Sequence, residues 1–353
     1  MGVKVMKVTY VALEPLKYPR IRKIAHTLKN YHGIEFSIMI PKVRVLLVGG
    51  IIKRILSALI NYIAIILQIF FTKSDVFWVA NCPDILVVPL VLRRKRYILE
   101  YRSPWAIEVT EEFGEGPWFY ISRFFEQLAL KHAWIITLTT SKLYERVKGF
   151  GKPTFIIPNY PLKSFGDEIV PKEIFRIQHG CNEESKIVLF VGKLSRVEGA
   201  DLLPKIMEKV LREEENAVFW IIGDGPLFPQ LRDFAKRFPG KVILFGWQAH
   251  TRIPNFIAAA DVCIAPRHAS IHSALYNEEG LHKISEYMFF KKPIVACGIA
   301  RSSEYLLVNE DEMADGILMA LRGLVPPSKR KTWEDYSEKK IHEMFNLIFS
   351  GKI

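Results

Sequence analysis

Three stretches in the second half of the chain hold the residues best suited to chemistry. Gly192-Lys193-Leu194-Ser195-Arg196 follows an apolar run ending at Val191, and a helix pattern starts near Gly199. Backbone N–H groups at a helix start attract anions, and Lys193 and Arg196 add two full positive charges. That suits a diphosphate leaving group, whose oxygen gains charge in the transition state. A basic strand-to-helix turn also occurs as plain structure. Gly223-Asp224-Gly225-Pro226 follows a second apolar run, and glycines there permit a tight turn and close backbone approach. The GxGxxG fingerprint of dinucleotide folds is missing both here and after Val5–Ala12, which argues against a nicotinamide or flavin enzyme.

The third stretch runs from Glu278 to Glu286, with Lys283 between them. Ile284–Phe290 reads as helix, so Lys283 and Glu286 share a face near its start. A cation in a first helical turn is locally unfavourable and is better explained by an anion beside it. Glu286 suits hydrogen bonds to the vicinal hydroxyls of a ribose. The plain alternative is an exposed Lys–Glu pair of little energetic weight. His268 and His272 are four apart, but no third ligand is evident, so no metal is expected.

The elements that must position these residues follow one pattern. Strand candidates are Val5–Ala12, Glu35–Ile40, Asp75–Ala80, Tyr97–Glu100, Trp134–Leu138 and Thr154–Ile157, then Lys186–Val191, Val218–Ile222, Val242–Phe245, Val262–Ala265 and Pro293–Ala296. Helix patterns separate most of them, which is the grammar of parallel sheets with helical crossovers. Polar residues collect just after the strands, where open α/β sheets bind ligands. Tyr160–Glu184 reads as a polar linker, and Thr332-Trp333-Glu334-Asp335 as a capping box opening a last helix to about Phe349. The predicted fold class is α/β, two facing Rossmann-like domains with a ligand cleft between them. The domains are 1–170 and 171–330, with a last helix in 331–353.

Charge is uneven. Of the 353 residues, the first 102 carry 17 Lys+Arg against 5 Asp+Glu, and the remainder is balanced at 32 against 32. Clusters such as Arg20/Arg22/Lys23 and Arg93–Arg96 fit an anionic membrane surface or a solvated basic face. No motif supports nucleic-acid binding. Arg330 and Lys331 read as solvated surface. The apolar run Ile55–Phe71 has a polar stripe of Lys53, Ser57, Asn61 and Gln68 on one face. Two readings stay open: a crossover helix on the sheet, or a helix in the membrane interface anchored by Lys53, Arg54 and Lys73. Four scattered cysteines without CxxC, and no signal peptide, lead us to expect a cytoplasmic protein with reduced thiols, peripheral at most to the inner face of the plasma membrane.

In combination, VGKLSRVEGADLL, IIGDGPL, VILFGW, AADVCIAP and the Glu-x7-Glu element ending HKISEYMFFKKPIVA resemble the family-4 glycosyltransferases of GT-B architecture. The resemblance implies a retaining, metal-independent, hexosyl-type transferase that needs no cofactor beyond its nucleoside-diphosphate-sugar donor. A basic first domain adds the expectation of an acceptor at the cytoplasmic membrane face, lipid-linked or a growing polysaccharide. Lys193 takes the place of a phosphate-holding arginine, Glu286 that of the ribose-binding glutamate, and Glu278 that of the first glutamate. Lys283 matches a lysine of some branches. Lys193, Arg196, Glu278 and Lys283 are the expected catalytic set. Gly192, Gly223, Gly225, Trp247, Glu286 and Arg102 are the expected nucleotide contacts. Three departures stand out. Glu198 replaces the usual lysine, with Arg196 nearby as substitute. ALEPLKYP stands where a glycine-rich turn follows the first strand. Glu100, Tyr101 and Arg102 occupy the place of a histidine after the fourth. These departures also fit a non-catalytic scaffold or sugar-nucleotide sensor, and a GT-B sugar-nucleotide epimerase is a further alternative.

Overall fold

The computed structural model describes residues 5–13, 19–42 and 51–353. The chain divides into two compact units, Met1–Pro158 with Ser337–Ile353, and Asn159–Tyr336. Each is built on a six-stranded, wholly parallel sheet. The α/β class and the two Rossmann-like sheets are as the strand pattern requires.

The first sheet holds β1 (Met6–Val11), β2 (Ile34–Ile38), β3 (Val76–Ala80), β4 (Tyr97–Tyr101), β5 (Ile135–Leu138) and β6 (Thr154–Ile156), in the order β2-β1-β3-β4-β5-β6. The second holds β7 (Lys186–Val191), β8 (Ala217–Ile222), β9 (Val242–Gly246), β10 (Val262–Ala265), β11 (Ile294–Ala296) and β12 (Leu306–Leu307), in the order β12-β11-β10-β7-β8-β9. Strand order reverses between β7 and β10, and the loops after these strands border the crevice at which such sheets bind ligands. The central strands β3, β5, β8 and β10 are buried along their whole length, as expected where both faces of a sheet are covered. Val188, Phe190, Phe219 and Ile221 belong to one core and Ile187, Leu189, Val218 and Trp220 to the other.

Several expectations change. The domain boundary falls at Pro158/Asn159 and not at 170/171. The supposed linker contains the helix Lys172–Gln178, which sets Phe175 against Phe256 and Trp220 at ring distances of 4.9 and 6.0 Å. Its neighbours Ile174 and Ile177 are exposed, which hid the pattern. The last helix starts at Ser337, not Thr332. Thr332 Oγ1 donates to Asp335 Oδ2 at 2.5 Å within a turn of the second unit, where Trp333 is buried and its N–H bonds Pro161 O at 2.7 Å. Strand β12 is too short for periodicity, and the helix Trp105–Phe113 lies between Pro104 and Gly114 without a recognisable pattern. Residues 14–18, the middle of ALEPLKYP, lie outside the described residues.

The basic clusters of the first unit are solvated only in part, since Arg22, Arg94 and Arg96 are exposed. Arg20 and Lys23 are buried, and Arg20 is ion-paired with the fully buried Glu100. Tyr10 also donates to Glu100, at 2.5 Å, and Arg20 reaches Pro158 O at 3.4 Å. Glu100 therefore joins β1, β4 and the helix Pro19–Lys29 inside the core. The polar stripe of the helix Ile51–Phe71 is divided, with Lys53 exposed and two other members meeting the protein. Ser57 is buried, and the Gln68 amide bonds Ile40 O at 2.9 Å and Lys42 N–H at 3.0 Å. Replacing Arg20 by Met leaves Glu100 with a single neutral donor among these groups. We expect the variant to lose about 3–5 kcal/mol in denaturant unfolding, as for other broken buried pairs; a loss within error of zero would refute the structural role.

Candidate functional site

The C-terminal ends of β7 and β10 carry a cluster of paired charges. After β7 the chain turns through Gly192–Ser195, makes one short helical turn at Arg196–Glu198, and breaks at Gly199 with a φ of +69°. The helix proper begins at Leu203, four residues beyond the predicted start. Gly199 cannot be replaced without disruption, since a Cβ there would lie 2.4 Å from Pro266 O on the loop leaving β10. The two loops of the crevice therefore touch through backbone.

The glycines of the GDG turn serve that same packing. A Cβ on Gly223 would stand 1.8 Å from Gly192 O, and one on Gly225 would stand 2.5 Å from Leu194 O. Leu194 N–H bonds Asp224 O at 2.9 Å. Gly192, Gly223 and Gly225 are thus brought together, with the backbone approach made by protein to protein.

Lys283 lies in the first turn of the helix His282–Phe289. The anion that its position called for comes from the chain itself. Glu198 Oε2 is 2.7 Å from Lys283 Nζ, and the other carboxylate oxygen is paired with Arg267. Lys283 also lies 4.6 Å from the centre of the Phe190 ring, in space that a Cβ on Gly192 would invade at 2.8 Å. Burial alone would raise the Glu198 carboxyl, but Lys283 and Arg267 together hold it down at about 2. Burial lowers the Lys283 ammonium, and Glu198 opposes that shift. Glu198, expected as a charge in the wrong place, is the centre of the cluster.

The other predicted residues divide clearly. Lys193 is exposed; Arg196 is exposed too, with Nε 3.8 Å from Asp201 Oδ2. Glu286 is mostly covered and bonds His250 Nε2 at 2.8 Å. Glu278 is buried, 3.7 Å from Lys331, which also pairs with Glu304 at 3.1 Å. Lys331 is therefore not solvated surface. Trp247 is exposed just beyond β9. Arg102 belongs to the first unit, after β4, where its N–H meets Asn81 Oδ1 at 2.8 Å and its guanidinium Asn81 O at 3.0 Å. His268 is gripped by Asp201 at 2.9 Å and Glu310 at 3.0 Å. Burial disfavours its charge, but the two carboxylates prevail and raise its pKa. His272 bonds Tyr276 Oη at 3.0 Å. Among the described residues no group of three or more such side chains is placed to hold a metal ion.

Sequence reasoning missed Arg267, His250 and the Asp201–His268–Glu310 bridge. Only Arg267 carried a signal, as the first charged residue after β10 at the edge where strand order reverses.

Residues 185–323, within the second unit, match the family described as Glycosyl transferases group 1, as the motifs there indicated. The alpha-D-kanosaminyltransferase of Streptomyces kanamyceticus is 28% identical over 116 residues, covering 32% of this chain and 28% of the relative. The curated relatives are matched over less than half of their own length. The sucrose-phosphate synthase of Thermosynechococcus elongatus superposes with a TM-score of 0.69 at 13% identity, over 98% of this chain and 99% of that one. HepE of Anabaena, solved in complex with UDP and glucose, gives a TM-score of 0.64 at 14% identity over 97% and 99%. These likenesses show the fold, two Rossmann-like domains of GT-B type.

The charge cluster makes a quantitative demand. Glu198→Gln leaves Arg267 and Lys283 facing each other without an anion and is expected to cost about 3–5 kcal/mol. Adding Lys283→Met to that variant removes one of the two stranded cations and should recover at least ~1 kcal/mol in a double-mutant cycle read by denaturant unfolding. Strict additivity would show that the two side chains do not interact.

Proposed function

We propose that the chain is a glycosyltransferase that moves a sugar from a nucleoside-diphosphate donor to an acceptor. One observation carries this reading. Within the matched domain, four cations, Lys193, Arg196, Arg267 and Lys283, belong to elements that meet at the point where strand order reverses. In this reading the diphosphate lies against the Gly192–Glu198 turn. Lys193 and Arg196 stabilise the departing phosphate oxygens electrostatically, the work a metal does in other transferases. The donor competes with Glu198 for Lys283 and Arg267, since a diphosphate carries more charge than one carboxylate. Glu286, oriented by His250, accepts from the ribose hydroxyls. Glu278 faces the donor sugar, and Trp247 contributes to nucleotide contact. Transfer retains configuration, with the leaving phosphate taking the acceptor proton. HepE with UDP and glucose is the precedent for the donor class on this fold. The net positive charge of the first 102 residues supports an acceptor held at the inner membrane face, lipid-linked or a growing polysaccharide.

A second reading, nucleotide binding without turnover, has one observation in its favour: Glu198 already neutralises part of the buried positive charge. The same assays separate the two. With UDP, GDP and ADP supplied in turn, one should stabilise the protein by roughly 2.7 kcal/mol at a hundred times its dissociation constant. The matching nucleotide sugars should then be turned over, and Lys193→Ala should slow that turnover about a hundredfold. Binding without turnover selects the second reading, and no stabilisation by any of the three defeats both.

A further inference from the structure

The helix Ile51–Phe71 leaves a broad apolar stripe uncovered, unlike a crossover helix whose outer face is polar. Its polar residues Ser57 and Gln68 turn toward the protein, together with the buried Ile65 and Ile69. Leu56, Leu59, Ile63, Leu67, Phe70 and Phe71 are 38–75% exposed. At 100° per residue these six fall in one stripe about 120° wide, and the stripe runs for about 22 Å along the axis. Beyond its end, Leu92 is 72% exposed.

Cations frame the stripe. Lys53 and Lys73 are exposed at its two ends. Arg93 closes the helix C-terminus, donating to Thr72 O at 3.1 Å and lying 5.5 Å from the Phe70 ring centre. Between Glu35 and Asp75 the sequence has five Lys or Arg residues and no acidic one. Among the described residues no helix is long and apolar enough to cross a membrane.

We propose that this face docks on an anionic lipid bilayer, with the helix lying in the interface plane, its apolar stripe among the acyl chains and its cations at the headgroups. The charge selects this occupant. A second copy would set one basic helix against another, and a nucleic acid would leave the apolar stripe without a partner. A bilayer with anionic headgroups satisfies both features at once. The proposal deepens the reading of a membrane-held acceptor and rests on it for its purpose. Its test uses neither donor nor acceptor, so its failure leaves sugar transfer standing.

The full chain is floated with vesicles of phosphatidylglycerol and phosphatidylcholine, or of phosphatidylcholine alone, at low and high salt. We expect flotation with the anionic vesicles, weakened but not abolished by salt, and little with the neutral ones. Leu59→Glu/Ile63→Glu/Leu67→Glu alters side chains that are already half exposed. It should keep its circular dichroism spectrum and lose at least tenfold in partitioning. Lys53→Gln/Lys73→Gln, which leaves the stripe intact, should lose severalfold on anionic vesicles, so the proposal remains testable even if the triple variant misfolds. A wild-type chain that stays at the bottom overturns the proposal. So does a folded triple variant that floats as well as the wild type. A dimer in sedimentation that the triple variant dissolves, without any flotation, would assign the face to a second copy instead.

Discussion

A carboxylate held between two cations organises the second unit. Glu198 comes from the loop after β7, Arg267 from the loop after β10, and Lys283 from the helix that precedes β11. Strand order separates those loops, and without a tie they would be free to diverge. The ion triad links them, and the Asp201–His268–Glu310 bridge ties the same two loops again and adds one further segment of the unit. Contacts of backbone on backbone at Gly199, Gly223 and Gly298 leave little space between the loops, since a Cβ at any of them would meet a carbonyl oxygen within 2.4 Å. The result is a rigid, positively charged edge whose charge is partly offset from within.

The first unit uses the same device for a different end. Glu100 is buried at the end of β4, and Arg20 and Tyr10 hold it there. Removing two charges from water costs several kcal/mol each, and the arrangement is tolerable because hydrogen bonds satisfy the carboxylate. In one unit the pair fixes core elements; in the other it fixes the loops that border a crevice.

Sequence and structure agree where local physics decides. The eleven strands anticipated from apolar runs are present with ends shifted by two residues at most, because strands buried on both faces read as unbroken apolar segments. The order of motifs in the second half pointed to the family that residues 185–323 match. Lys283 in a first helical turn implied a nearby anion, and one is there. Its identity was hidden because Glu198 is 85 positions away and its pairing depends on strand order, which periodicity does not encode. The same holds for His250 beside Glu286. Which residues of the Ile51–Phe71 helix face the protein is likewise not legible from periodicity. A polar stripe ordinarily faces water, but Gln68 finds backbone partners at Ile40 and Lys42. The turn at Thr332 has the residue types of a helix start, but Thr332 Oγ1 donates to the Asp335 carboxylate instead of accepting from a backbone N–H, and the helix begins at Ser337.

The central claim is that Glu198 stays ionised because Arg267 and Lys283 flank it. A carboxyl held below its ordinary value stabilises the fold fully above that value and releases the stabilisation as pH falls toward the lowered one. Carbon-13 NMR of the side-chain carboxyl, assigned by its disappearance in Glu198→Gln, reads this directly. The account predicts no titration step near the ordinary glutamate value of about 4.3 and a midpoint near about 2. A Glu198 carboxyl that titrates at or above the ordinary value would contradict it.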